Sequence, residues 1–120
     1  MVIAIVDDDA GVLRTLGRLL SGCGYRTELF ASAEEFLSAE GKNKVACLVS
    51  DIELGNISGL DMARQLSVEG FSVPVIFISG SGSHEYRKQV TDLGCIAYLQ
   101  KPVASDLLIA AIEKATGPNH

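Results

Sequence analysis

Four short apolar runs, each followed by a segment long enough for a helix, constrain this chain more than any other feature. Residues 2–6, 45–49, 73–78 and 96–99 are almost unbroken in hydrophobicity. Strands of that kind are buried on both faces, as in a parallel sheet covered by helices on either side. Residues 25–30 differ, because Arg26 and Glu28 alternate with larger side chains. That pattern predicts a partly solvated edge strand.

The intervening segments read as helices. Val12, Leu13, Leu16, Leu19, Leu20 and Cys23 recur at steps of three and four, which makes one apolar stripe ended by Gly22 and Gly24. Ser32 followed by Glu35 forms a capping box that opens a helix burying Ala33, Phe36 and Leu37. A third helix starts after Ser58 and carries Leu60, Ala63 and Leu66. Ser81 or Ser83 caps a short polar helix over residues 85–93, ended by Gly94. The last helix is apolar at Leu107, Leu108, Ala111, Ile112 and Ala115, with Asp106 near its start and Lys114 near its end, the signs that its dipole favours.

Five strand–helix units in alternation predict a doubly wound (βα)5 α/β fold with right-handed crossovers. Five strands fit the flavodoxin-like order 2-1-3-4-5 better than a six-stranded dinucleotide fold, and that order places the topological switch between strands 1 and 3. Ligands of open α/β sheets bind at the carboxyl ends of the strands beside such a switch. A length of 120 residues, 48% hydrophobic, suits one domain with a single core. Residues 1–117 read as that domain and 118–120 as a tail.

A net charge of −5 argues against a sequence-independent nucleic-acid surface or an anionic-membrane binder. No apolar run approaches the ~20 residues that span a bilayer, and no basic segment precedes residue 2, so a cytoplasmic protein is expected. Cys23, Cys47 and Cys95 each lie within or beside an apolar segment, which predicts buried reduced thiols.

The first polar residues after the buried strands are Asp7-Asp8-Asp9, Asp51, Ser79 and Lys101. All four positions fall on one edge of the predicted sheet. Because strands 1 and 3 are neighbours in the predicted order, Asp7, Asp8 and Asp51 converge, and a divalent cation would relieve their repulsion. An oxygen-only site of this kind suits Mg²⁺ better than Zn²⁺. Ser79 supplies a hydroxyl and Lys101 a mobile point charge, so the edge has a phosphate-stabilising half as well. A carboxylate in such a site can act as a nucleophile and form an aspartyl phosphate. Asp9 reads as the cap of the first helix.

Taken together, these residues resemble the response-regulator receiver domain of two-component signalling. The resemblance rests on Asp7-Asp8, on Asp51 with Gly59 eight residues later, on Ser79, and on Tyr98-Leu99-Gln100-Lys101-Pro102, and it covers nearly the whole chain. It implies that Asp51 accepts a phosphoryl group from a sensor histidine kinase or phosphotransfer protein. It further implies that Asp8, Asp51 and the backbone carbonyl of Glu53 bind Mg²⁺, with Asp7 helping through water. Ser79 and Lys101 would contact the phosphoryl oxygens, and Ser79 and Tyr98 would form the switch that alters the face made by helix 4, strand 5 and helix 5. In this family the bond before Pro102 is usually cis. The partners implied are a kinase, an output domain or protein, and a second copy through helices 4 and 5. Residues 32–37 resemble receivers that precede helix-turn-helix activators, which implies transcriptional output with no nucleic-acid contact by this domain itself.

Two departures from the family pattern stand out. Gly55 occupies the place where the family usually has Pro, which predicts a more mobile loop, and Glu53 adds a carboxylate two residues after Asp51. Gly80-Ser81-Gly82 predicts a second flexible loop. The rival functions are a phosphorylation-independent interaction domain on the same fold, and a Mg²⁺-dependent phosphatase of the haloacid-dehalogenase type using Asp7-x-Asp9. The latter lacks a second acidic pair after a later strand and a cap region. The receiver reading makes the chain a signalling module that catalyses only its own phosphorylation and dephosphorylation, not an enzyme acting on other substrates.

Overall fold

The computed structural model describes residues 1–80 and 84–117. The caps predicted at Ser81 and Ser83, the loop after Gly80, the side chain of His84 and the tail at 118–120 lie outside the described residues. Five parallel strands form one sheet in the order β2-β1-β3-β4-β5. They are β1 (Val2–Val6), β2 (Arg26–Phe30), β3 (Val45–Asp51), β4 (Val75–Ser79) and β5 (Ala97–Gln100). The helices are α1 (Ala10–Gly22), α2 (Ala33–Leu37), α3 (Gly59–Val68), α4 (His84–Asp92) and α5 (Ser105–Thr116), with a 3-10 turn at Lys42–Lys44.

Strand alternation sorts the core into two layers. Ile3, Ile5, Cys47, Val49, Ile76 and Ile78 point to one face, where Leu13, Leu16 and Leu20 of α1 and Leu108, Ala111 and Ile112 of α5 cover them. Ala4, Val6 and Leu48 point to the other, against Ala33 and Phe36 of α2 and Met62 and Leu66 of α3. Phe77 continues that face toward Leu60, Ala63 and Val90. Both faces are thus sealed by helices, which is why β1, β3 and β4 read as continuous apolar runs. Edge strand β2 is partly solvated as expected, with Arg26 and Glu28 exposed, but its alternation breaks at Leu29, which is exposed as well.

The predicted caps form. Asp9 accepts from the N–H groups of Gly11 and Val12, and Ser58 accepts from Asp61. At α2, Ser32 accepts from Glu35, while the Glu35 carboxylate reaches back to the Ala31 N–H rather than to Ser32 itself. Strand ends differ from the apolar runs by one or two residues. Val73 stays outside β4 because Pro74, lacking an N–H, cannot donate to the ladder. Asp51 and Ser79 lie inside their strands, since backbone pairing continues past the last apolar side chain.

Two side chains expected in the core are not there. Cys23, the C-cap residue of α1, is exposed, and only Cys47 of the three thiols is fully buried, with its pKa pushed up to about 12 by burial. Leu107 is 55% exposed, one position off the stripe that α5 turns inward.

Gly59 opens α3 against the end of β3. A Cβ at this position would lie 2.2 Å from the Asp51 carbonyl oxygen and 2.9 Å from Ser50 Oγ, so only glycine allows the approach. Its N–H donates to the Ile52 carbonyl at 2.9 Å. Gly55, by contrast, has nothing within 4 Å of the corresponding Cβ position. Gly59→Ala is therefore expected to cost about 1–3 kcal/mol in urea denaturation, whereas Gly55→Ala shifts stability by about 0.5 kcal/mol or less. Equal effects of the two would refute the close approach.

Candidate functional site

Register brings the site together. Val6 pairs with Ser50 across β1 and β3, so the next residues, Asp7 and Asp51, emerge side by side. Asp51 pairs with Ile78, which sets Ser79 one step beyond, and Ser79 pairs with Gln100, which sets Lys101 one step further. The Lys101 N–H donates to the Ser79 carbonyl at 2.8 Å and carries the alignment past the end of β5. The Lys101–Pro102 bond is cis.

Asp7, Asp51 and Ser79 are buried, and Asp8 is exposed. One carboxylate oxygen from each of Asp7, Asp8 and Asp51 can be chosen so that all three lie within 4.8 Å of one another. Lys101 Nζ stands 2.9 Å from Asp7 Oδ2 and 3.1 Å from Asp51 Oδ2. The approach to Asp51 is a hydrogen bond and that to Asp7 an ion pair, and the buried Asp7 Oδ2 has no other polar partner among the described residues. Asp7 Oδ1 accepts from the Asp9 N–H at 2.9 Å, and Asp51 Oδ1 accepts from the Glu53 N–H at 3.2 Å. Three carboxylates clustered in this way, two of them buried, suit a small divalent cation such as Mg²⁺.

Burial pushes the Asp51 carboxyl above the usual aspartate range. The charge of Asp7 acts the same way, and Lys101 together with the Glu53 N–H offsets this only in part. Burial alone would lower the Lys101 ammonium, but its contacts with Asp7 and Asp51 outweigh that and raise it. Lysine thus stays charged while the carboxylates crowd round it.

Ser79 Oγ donates to Glu53 Oε1 at 3.3 Å. The Glu53 side chain therefore reaches the hydroxyl of β4, a contact invisible in the sequence because 26 residues separate the two. Tyr98 is half-buried, with the Arg87 guanidinium 5.9 Å from its ring centroid. Its hydroxyl is fully buried and has no hydrogen-bond partner among the described residues. From the sequence, Ser50 carries no functional expectation and Arg87 reads only as part of a solvated helix face. Ser50 is buried with its hydroxyl on the Asp51 carbonyl at 2.9 Å, and a lone polar residue within an apolar strand was the available signal.

Comparison with known proteins agrees with this geometry. A family profile described as "Response regulator receiver domain" matches residues 3–113. The response regulator protein TmoT of Ectopseudomonas mendocina is 39% identical over 114 residues, covering 95% of this chain and 52% of TmoT. The transcriptional regulatory protein FixJ of Bradyrhizobium diazoefficiens is 30% identical, covering 94% of this chain and 55% of FixJ. The structure of the response regulator StyR superposes with a TM-score of 0.90 at 30% identity, over 98% of this chain and 60% of StyR. The chain spans about half the length of the curated relatives it matches.

Two stability measurements check the site. Over the interval from the ordinary aspartate value of 3.8 up to the raised native value of Asp51, the folded state holds more protons than the unfolded state, so stability falls as pH rises and is flat above. Asp51→Asn is accordingly expected to be the more stable protein at pH 7, with its advantage shrinking as pH drops through that interval; a constant gap would contradict the assignment. Tyr98→Phe removes a buried hydroxyl without a partner and is expected to stabilise the chain by about 1 kcal/mol in the same assay, whereas a loss would mean that the hydroxyl is satisfied.

Proposed function

The chain belongs to the response regulator receiver domain family, a phospho-accepting signalling module, and on that premise we propose that Asp51 is its phospho-acceptor and Lys101 the cation that prepares it. The observation that carries this reading is the single Lys101 ammonium shared by the buried carboxylates of Asp7 and Asp51 at the carboxyl end of the sheet.

In the proposed reaction an oxygen of the Asp51 carboxylate bonds to phosphorus as the phosphorus–nitrogen bond of a kinase phosphohistidine breaks. The imidazole leaves with the electron pair and an acyl phosphate remains on Asp51. Asp8, Asp51 and the backbone carbonyl of Glu53 would hold Mg²⁺, with Asp7 helping through water. When bound there, the ion supplies positive charge against the phosphoryl oxygens. Lys101, already within ion-pair distance of Asp51, supplies a second positive charge, and the Ser79 hydroxyl would donate to a phosphoryl oxygen.

The switch assignment falls on Ser79 and Tyr98. A buried hydroxyl without a partner costs about 1–3 kcal/mol, so the tyrosine ring occupies a position that a small displacement of Ser79 can tip. The readout would be the face of α4, β5 and α5, which we assign to an output partner or a second copy of the chain. FixJ is named a transcriptional regulatory protein, and we infer the same kind of output here, with DNA contacted by another domain. The net charge of −5 supports that division. We take residues 1–117 as the signalling domain and the cytoplasm as its compartment; among the described residues no helix is long and apolar enough to cross a membrane.

The phosphatase reading loses support from Asp9, whose carboxylate is engaged by the N–H groups of Gly11 and Val12 as the cap of α1. Incubation with acetyl phosphate and Mg²⁺, read by intact mass, is expected to add one phosphoryl group to the wild type and none to Asp51→Asn. An adduct that survives this substitution, or sustained turnover of phosphate esters lost with Asp7→Asn, would reject the assignment.

A further inference from the structure

We propose that Glu53 is a latch on the phosphoryl pocket, holding the Ser79 hydroxyl in the unphosphorylated chain and slowing phosphorylation of Asp51 until it is displaced. The inference rests on the phospho-acceptor reading above and deepens it by naming a residue that sets the rate.

The latch follows from a proton count. A serine hydroxyl has one hydrogen to donate. In this structure it is directed to Glu53 Oε1, with Oγ and Oε1 3.3 Å apart. A phosphoryl oxygen arriving at Asp51 needs the same hydrogen, so the two acceptors exclude one another. Ser79 is fully buried and Glu53 is exposed, which places the carboxylate on the solvent side of the hydroxyl it holds.

Backbone geometry supports the placement. The Glu53 N–H donates to Asp51 Oδ1 at 3.2 Å, so the residue that carries the latch is tied to the acceptor carboxylate itself. Charge acts in the same direction. Glu53 brings a fourth carboxylate to a site where Asp7, Asp8 and Asp51 already cluster and one ammonium pairs with only Asp7 and Asp51 among them, and an incoming phosphoryl donor is itself anionic. Glu53 takes no part in bond making: Asp51 oxygen bonds to phosphorus, the donor's phosphorus–oxygen bond breaks, and acetate leaves when acetyl phosphate is the donor. Its role is positional, through the hydroxyl.

The test is a double-mutant cycle on the intact chain, measuring the rate constant of Asp51 phosphorylation by acetyl phosphate with Mg²⁺. Glu53→Ala is expected to raise that rate about five- to tenfold, the worth of one charge-assisted hydrogen bond of long geometry. Glu53→Gln, which keeps an acceptor but drops the charge, falls between Glu53→Ala and the wild type. In a Ser79→Ala background the gain from Glu53→Ala shrinks to less than half, because the held hydroxyl is gone. An unchanged rate in Glu53→Ala overturns the latch. So does a gain of the same size with and without Ser79, which would make Glu53 a plain repulsive charge. A second arm needs neither metal nor donor: in the unphosphorylated, metal-free chain the Ser79 ¹³Cβ shift moves on Glu53→Ala if the bond exists and stays fixed if it does not. Should the wild type take up no phosphoryl group at all, the phospho-acceptor reading fails, and this shift alone decides whether Glu53 holds Ser79.

Discussion

Lys101 is the interaction on which the functional edge depends. Two carboxylates, Asp7 and Asp51, are buried at the ends of adjacent strands, and one ammonium lies within 3.1 Å of both. Without a cation, two ionised groups at such a place would repel one another and forfeit their hydration. Everything that positions Lys101 therefore contributes to the site: the pairing of Ser79 with Gln100, and the Lys101 N–H on the Ser79 carbonyl. The arrangement is incompletely compensated even so, because the Asp51 carboxyl stays above its ordinary value and Asp7 Oδ2 has only Lys101 as a polar partner among the described residues. A site left in that condition has something to gain from a divalent cation and from a group that spreads its charge over several oxygens.

The scaffold explains how such a cluster is tolerated. Both faces of the sheet are sealed by apolar helices, so cooperative packing of Phe36, Phe77 and the isoleucines of β1 and β4 fixes the strands in register. Polar residues are then confined to the ends of those strands. Gly59 belongs to the same logic, since α3 begins in contact with the Asp51 carbonyl and no side chain fits between them. Asp51 is thus held from below by β3, from one side by Lys101 and from behind by the start of α3.

Two groups in the edge are poised rather than settled. Tyr98 has the Arg87 guanidinium over its ring and buries a hydroxyl with no partner among the described residues, and the Ser79 hydroxyl is engaged by an exposed carboxylate. Signalling by this family needs an element of that kind, because a ligand shifts a conformational equilibrium only as far as it interacts differently with the two states.

The amino-acid order by itself determined the parallel sheet, the strand sequence and the gathering of Asp7, Asp8, Asp51, Ser79 and Lys101 at one rim. Those features follow from hydrophobic period and from the rule that polar residues end buried strands. It also determined the caps at Asp9, Ser32 and Ser58, which depend on contacts three residues away or fewer. Tertiary structure alone decided the exposure of Cys23 and Leu107, because a helical stripe drawn on a wheel does not say where the sheet ends beneath it. It also decided that Glu53 turns to Ser79, that Tyr98 carries an unpaired hydroxyl and that Gly59 touches Asp51. Each of these is a contact between elements far apart in the chain, and the angle at which one element meets another is set by packing, which no local pattern records.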